Sequence, residues 1–334
     1  MDLLPELCLL LIHYLSMNDL NHFRVGSKEL CEYAKSYEGS PREFVSPCSL
    51  KLCFRCFPKL KYLNPMIVSC NDFYYFANIE ELSINTLCLT REDIFSPCVK
   101  LKKLYLSACY TDNTALDYTF KHLTQITYLS LYNVYKITDL ALKFVTQLKE
   151  LHLSERCNIT SYGIRSLKHL KKLLIDTPQN GHSSLIRDDA FEGSSIEELI
   201  LHHHDYITDR GILHLKQLRT LICINVSGVQ GEGWKDLTKL QSVGIGNSTI
   251  YNISNFKFVK TLTFQDSRIY GTWSGDWLKL VKLRFYHSTL EFPGSIKNMT
   301  CPQIQKIRII QCPQMNEHEE SLCKTFGQKL IYKI

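Results

Sequence analysis

Cys53 and Cys56 form a C-x-x-C, with Cys48 and Cys70 on either side. Thiolates at that spacing can hold a zinc ion or exchange a disulfide. A tetrahedral zinc site usually takes two such close pairs, and the sequence holds no second one, so no metal is expected there. The β-α-β context of a thiol oxidoreductase is missing as well. His202, His203 and His204 are consecutive, cannot all converge on one ion, and read as a polar loop following a strand. The sequence contains no glycine-rich phosphate loop, no nucleophile elbow and no H-E-x-x-H helix. The expectation is a protein that is not an enzyme, with no catalytic residue, no metal and no cofactor.

The 334 residues are 45% apolar and 22% charged, the profile of a globular chain able to bury a large core. A net charge of +6 is small for this length, so a nucleic-acid partner is not expected without clustering of the cations. Fourteen cysteines are scattered over apolar positions of a long chain, which suits reduced, buried thiols better than a disulfide scaffold. Asp2, Pro5 and Glu6 stand where a secretory leader would be basic, and the apolar run Leu7 to Leu15 is too short to span a bilayer. An intracellular protein without a membrane partner is expected. Five glycosylation sequons, at Asn158, Asn225, Asn247, Asn252 and Asn298, would matter only to a secreted chain.

What positions any functional residue is a repeat. The pattern L-x-x-L-x-L, with aliphatic or aromatic substitutes, recurs from Leu60 to Ile309. Clear copies are Ile79-Leu82-Ile84, Leu101-Leu104-Leu106, Ile126-Leu129-Leu131, Leu148-Leu151-Leu153, Leu170-Leu173-Ile175 and Ile196-Leu199-Leu201. Weaker ones follow at Leu218, Leu240, Val259, Leu280 and Ile304, and with a degenerate first copy at Leu60-Leu63 they make twelve. Their middle positions step by 19 to 26 residues. The fourth and sixth positions lie two apart, so in a strand they point to one face, into the core. One such strand cannot stand alone, but stacked copies form a parallel sheet with a shared interior.

Between strands, "YKITDLALKFVTQL", "CNITSYGIRSLKHL" and "DYITDRGILHLKQL" share an I-T-[DS] start followed by helical spacing of apolar residues, and Thr or Asp suits a helix N-terminus. This pattern resembles the cysteine-containing subclass of leucine-rich repeats, with Cys109 and Cys157 at the cysteine position. The resemblance implies an α/β solenoid: a curved parallel sheet with helices or irregular segments on its convex side. It is strongest from about residue 101 to 220. Beyond that the I-T-D start is lost, and irregular convex segments are expected.

The N-terminal residues are different. Leu7, Leu10, Leu11, Tyr14 and Leu15 form an amphipathic stripe, and Ser16 with Asp19 opens a second helix carrying Leu20 and Phe23. So short a segment cannot cover that much apolar surface by itself, so a partner is implied. Leu4-Pro5, Glu6-Leu7, Leu11, Tyr14-Leu15, Asp19-Leu20, Arg24 and Ser27-Lys28 resemble the F-box. That resemblance implies docking on a Skp-type adaptor and cullin scaffold through Leu4, Pro5, Leu7, Leu11, Leu15, Leu20, Phe23 and Val25. The expected organisation is an F-box-like helical module over 1–40, a linker or cap over 41–57, repeats over 58–315 and a C-terminal cap over 316–334. The alternative is that the N-terminal helices only cap the solenoid.

Hexamer positions three, five and seven point to the concave face. They give a tyrosine zone at Tyr62, Tyr105, Tyr128 and Tyr132, an apolar stretch at Leu174, Ile200, Ile222 and Ile224, and a basic end at Lys282, Arg284, Lys306 and Arg308. Exposed aromatics and arginines on adjacent strands are the anchors that protein interfaces favour. The sequence therefore points to a substrate-recognition subunit of a ubiquitin ligase that holds an unknown protein substrate on the concave face. The alternative is a repeat module for protein interaction with no ligase link.

Overall fold

In the computed structural model the described residues are 59–63, 70–85, 91–108, 114–134, 137–154, 157–177, 185–251, 253–270, 275–291, 299–312 and 330–333. The F-box-like segment, Cys48, Cys53, Cys56 and Cys109 lie outside them. The chain divides after Ile159 into two compact units.

The first unit contains strands β1 (Tyr62–Leu63), β2 (Glu81–Asn85), β3 (Lys103–Ser107), β4 (Tyr128–Tyr132) and β5 (Glu150–Ser154), all parallel and paired in sequence order. Register keeps equivalent hexamer residues side by side, as in Leu82↔Leu104↔Leu129↔Leu151. Chain returns behind this sheet run through 3-10 turns at Cys70–Asn78 and Thr114–His122 and a short helix α1 (Asp139–Phe144). Phe73, Phe76, Phe95 and Phe120 are buried in contact with one another, with ring centroids 5.0 to 6.4 Å apart.

The second unit continues the pattern. It holds helices α2 (Ser161–Ser166) and α3 (Asp209–Leu213). Its first strands are β6 (Lys172–Asp176), β7 (Glu198–His202), β8 (Thr220–Ile224) and β9 (Ser242–Gly246). Next come β10 (Thr249–Ile250), β11 (Thr261–Gln265), β12 (Arg268–Tyr270), β13 (Gly275–Asp276) and β14 (Lys282–Tyr286). The last are β15 (Thr289–Glu291), β16 (Met299–Thr300), β17 (Lys306–Ile310) and β18 (Leu330–Lys333). Eight of them pair in parallel in the order β6-β7-β8-β9-β11-β14-β17-β18.

Every hexamer residue named by the repeat is buried, while those of its neighbours at positions three, five and seven whose side chains are described are half-buried or exposed apart from Gly246. The alternation follows from the two-residue period of a strand with one face on the core. The helix starts also match: the hydroxyls of Thr138, Thr160 and Thr208 accept hydrogen bonds from the N–H groups of Leu140, Tyr162 and Arg210. Carboxylates then tie one repeat to the next. Asp117 accepts from Thr138 N and Oγ1 at 2.8 and 2.5 Å, and Asp188 accepts from the equivalent Thr208 atoms at 2.7 Å each.

Three features depart from the sequence reading. Close to the C-terminus, β18 adds a strand beyond the twelve copies, with its Leu330 paired to Ile307. The return segments after β9 are not simply irregular, because β10, β12 and β15 form their own small parallel sheet, started by serines at the turn. Ser248, Ser267 and Ser288 each donate to the carbonyl two residues back, and the N–H groups of Ser248 and Ser267 donate to the hydroxyl of the next serine. Third, the histidine triplet is not a polar loop. His202 closes β7, His203 takes a left-handed backbone (φ 54°), and His204 is wholly buried.

Candidate functional site

In the first unit the open face of the sheet is a set of rows fixed by register. One row runs Tyr62, Glu81, Lys103, Tyr128, Glu150, the next Ser83, Tyr105, Ser130, His152, and the third Asn85, Ser107, Tyr132, Ser154. Tyr62 and Tyr132 are 45% and 46% exposed. Tyr105 and Tyr128 are half-buried and pack on each other, with ring centroids 4.6 Å apart. The Tyr128 hydroxyl lies 3.0 Å from His152 Nδ1, and His152 Nε2 lies 2.8 Å from Glu150 Oε1. With Glu150 ionised, Nε2 carries the proton and donates it, so Nδ1 accepts from the tyrosine. Lys103 pairs with Glu81 at 3.1 Å.

Burial, helped by the neighbouring Tyr105 and Glu150, pushes the Tyr128 hydroxyl well above its usual range, and burial raises that of Tyr105. Both phenols therefore stay protonated and serve as neutral donors, the reverse of what a nucleophile or general base needs. The sequence reading found the tyrosines but missed Glu81, Lys103, Glu150 and His152. Their signal was available, since they occupy facing positions of adjacent copies.

In the second unit one row reads Leu174, Ile200, Ile222, Gly244, Thr263, Arg284, Arg308. Its neighbours are Lys172, Glu198, Thr220, Ser242, Thr261, Lys282, Lys306 on one side and Asp176, His202, Ile224, Gly246, Gln265, Tyr286, Ile310 on the other. The apolar stretch and the basic end thus lie along one surface, with Gly244 and Thr263 between them in the middle row. Lys282 sits beside Lys306 and Arg284 beside Arg308. Sequence reasoning passed over Gly244 and Gly246 between them, because a missing side chain carries no signal until register places it.

Cys98, Cys223, Cys301 and Cys312 are free and buried, and Cys157 is half-buried. Burial pushes the thiols of Cys98, Cys157 and Cys301 up to about 12, and those of Cys223 and Cys312 upward as well, so none is poised as a nucleophile. No group of three or more metal-ligating side chains occurs among the described residues, and none of their helices is long and apolar enough to cross a membrane.

No protein-family profile matches the chain, and no curated relative is found by sequence. Solved structures do match. An internalin (inlF) from Listeria monocytogenes aligns with a TM-score of 0.56 at 16% identity, over 89% of this chain and 88% of that one. A leucine-rich-repeat protein of Leptospira interrogans gives 0.52 at 14% identity, over 92% of each chain. A chain in the octameric complex of Latrophilin 3, Unc5D and the leucine-rich-repeat protein FLRT2 gives 0.54 at 16% identity, over 77% and 84%. At these identities the likeness concerns the fold. Repeat spacing, parallel register, buried hexamers and these neighbours agree that the chain is a leucine-rich-repeat solenoid.

Proposed function

We propose that the protein is a non-catalytic recognition module that binds another protein on the open face of its repeat sheet. The observation that carries this reading is the set of aromatic side chains on the open face of the first unit: Tyr62 and Tyr132 stand exposed, and Tyr105 and Tyr128 brace each other across β3 and β4. A sheet face that leaves its tyrosines in solvent gains nothing for its own stability, whereas tyrosines make rigid, low-entropy anchors at interfaces. In the complex with Latrophilin 3 and Unc5D, a leucine-rich-repeat protein is assembled with other proteins, which fits the same use of the fold. The test is affinity capture with the intact chain against a variant carrying Tyr62→Ser and Tyr132→Ser. Specific partners should be lost with no change in the circular dichroism spectrum, and an unchanged partner set refutes the reading.

A more specific reading rests on the motif from Leu4 to Lys28. On that reading the protein acts inside the cell as the substrate-recognition subunit of a Skp-cullin ligase, and other subunits transfer the ubiquitin. Co-purification with a Skp-type adaptor, abolished by Leu11→Asp, Leu15→Asp and Leu20→Asp together, is the expected result. Absence of adaptor binding by the intact chain would leave only the interaction module.

A further inference from the structure

The basic end of the second unit is unlike the other charges on the open face. Lys103 and Lys172, on facing rows elsewhere, are each neutralised across the neighbouring strand, Lys103 by Glu81 at 3.1 Å and Lys172 by Glu198 at 3.3 Å. Lys282, Arg284, Lys306 and Arg308 have no carboxylate at ion-pair distance among the described residues. They occupy adjacent rungs in matched register, cation beside cation, an arrangement that costs stability unless an anion covers it. The Nε of Arg284 is buried and has no hydrogen-bond acceptor among the described residues. A buried donor without an acceptor is destabilising, which makes this arginine a socket for one.

Beside this cluster the surface drops. Gly244 and Gly246 both face outward from β9, where a Cβ would meet the side chains of Ile222 and Ile224 at 3.5 and 3.1 Å. Two glycines on one face of a strand weaken the strand, and such positions occur where another backbone approaches closely. On the far side of the glycines lie Leu174, Ile200 and Ile222, half-buried and apolar. Ile200, Ile222, Gly244, Thr263, Arg284 and Arg308 lie in one row over six successive strands. At a strand spacing of about 4.8 Å that row is about 24 Å long, the reach of about seven extended residues.

We propose that this row binds an extended peptide segment of a partner protein, apolar in one half and rich in aspartate and glutamate in the other. The apolar half lies on Ile200 and Ile222, the backbone crosses at Gly244, and the carboxylates settle on Arg284, Arg308, Lys282 and Lys306. A nucleic acid would satisfy the cations but leave the apolar half and the glycine trough unused, so a peptide is the occupant that uses all three. The proposal rests on the reading of the protein as an interaction module and names the chemistry of one partner.

The test is fluorescence anisotropy with the full chain and three labelled probes: a short peptide whose first half is leucine and valine and second half aspartate and glutamate, an all-acidic peptide of equal length, and a single-stranded oligonucleotide. The mixed peptide should bind at least about tenfold more tightly than either other probe, with binding that weakens as salt rises. Arg284→Glu with Arg308→Glu should weaken it by at least about tenfold, and Gly244→Val should weaken it while Lys282 and Lys306 are untouched. Circular dichroism checks folding of each variant, and Lys282→Glu with Lys306→Glu supplies a second charge reversal should the arginine pair fail that check. Equal binding of the all-acidic peptide or the oligonucleotide, indifference to charge reversal, or no binding of the mixed peptide each overturns the proposal. If the peptide fails while partner capture still depends on Tyr62 and Tyr132, the interaction module stands and only this assignment falls.

Discussion

His204 should make the second unit acid-sensitive in a way that one substitution removes. It is wholly buried, three residues past Leu201, at the turn position where other copies place Val226, Ser248, Ser267, Ser288 or Cys312. Burial pushes its imidazole down to about 4 from an ordinary 6.5, against the pull of Asp205 and Asp188 and with a small push from Arg187. Because the folded value lies below the unfolded one, the unfolded chain binds the proton more readily. The stability that the neutral ring allows is therefore complete above the ordinary value and is lost as pH falls from 6.5 through about 4. A shift of this size corresponds to about 3 kcal/mol in full, of which about 2 kcal/mol is gone by about pH 5. Urea unfolding followed by circular dichroism, at several values between about pH 7.5 and about pH 4.5, measures it. Other carboxylates also titrate there, so the wild-type profile is read against His204→Val, which installs the residue of the next repeat. The variant loses packing by a constant amount at every pH, whereas the wild type loses an additional amount of about 2 kcal/mol on acidification. Parallel profiles for the two proteins would refute the idea that the buried ring is held neutral.

Other substitutions separate the layers of the design. Asp117→Ala strands the N–H and hydroxyl of Thr138 in a half-buried junction and should cost about 1 to 3 kcal/mol, measured by denaturant unfolding. Leu129→Ala, at a site with no solvent exposure, should cost about 2 to 5 kcal/mol through the cavity it leaves, while Tyr132→Ala on the same strand should change stability by less than about 1 kcal/mol. Ala108 holds a left-handed backbone at φ 48°, so Ala108→Gly should raise the melting temperature or leave it unchanged, by an amount equivalent to about 1 kcal/mol at most.

The repeat strands are legible in the sequence because each copy needs three apolar residues at fixed spacing, and no other element places them so. The first turn of each early helix is legible for a similar reason: Thr138, Thr160 and Thr208 are suited to capping wherever they stand. The turn that leaves each strand is harder to read. Two residues past the last apolar position of most copies the backbone is left-handed, at Asn133, His203, Asn225, Asn247, Asp266 and His287 among others, and its N–H donates to the last strand residue of the following copy. Asn, Asp and His tolerate that conformation, so a signal exists, but only in an alignment of the copies by strand register. The same alignment would have exposed His204 as a core residue. β18 escaped because Gly327 replaces the apolar residue at the first hexamer position. The binding rows were legible as positions and only partly as chemistry, since an ion pair such as Lys103 with Glu81 joins residues 22 apart.

Strand register also separates charges that hold the fold from charges that are free for a partner. In a stacked repeat, each facing residue has two lateral neighbours set by register, so an acid and a base in consecutive copies neutralise each other without any long-range coincidence. Lys103 and Lys172 meet a glutamate in this way at 3.1 and 3.3 Å, and Lys102 and Lys171, at the second hexamer position, do so beside them at 2.7 and 2.9 Å. Exposed pairs of this kind add little stability, but they keep the face from presenting a net field. Where the alternation stops, at β14 and β17, four cations share two rungs and the field is no longer cancelled. The interior of those two strands is ordinary, with Leu283, Phe285, Ile307 and Ile309 all buried, so the fold makes no demand for the cations above it. A change confined to the outward positions, with the core left to pattern, is what a surface shaped by a partner rather than by folding should look like.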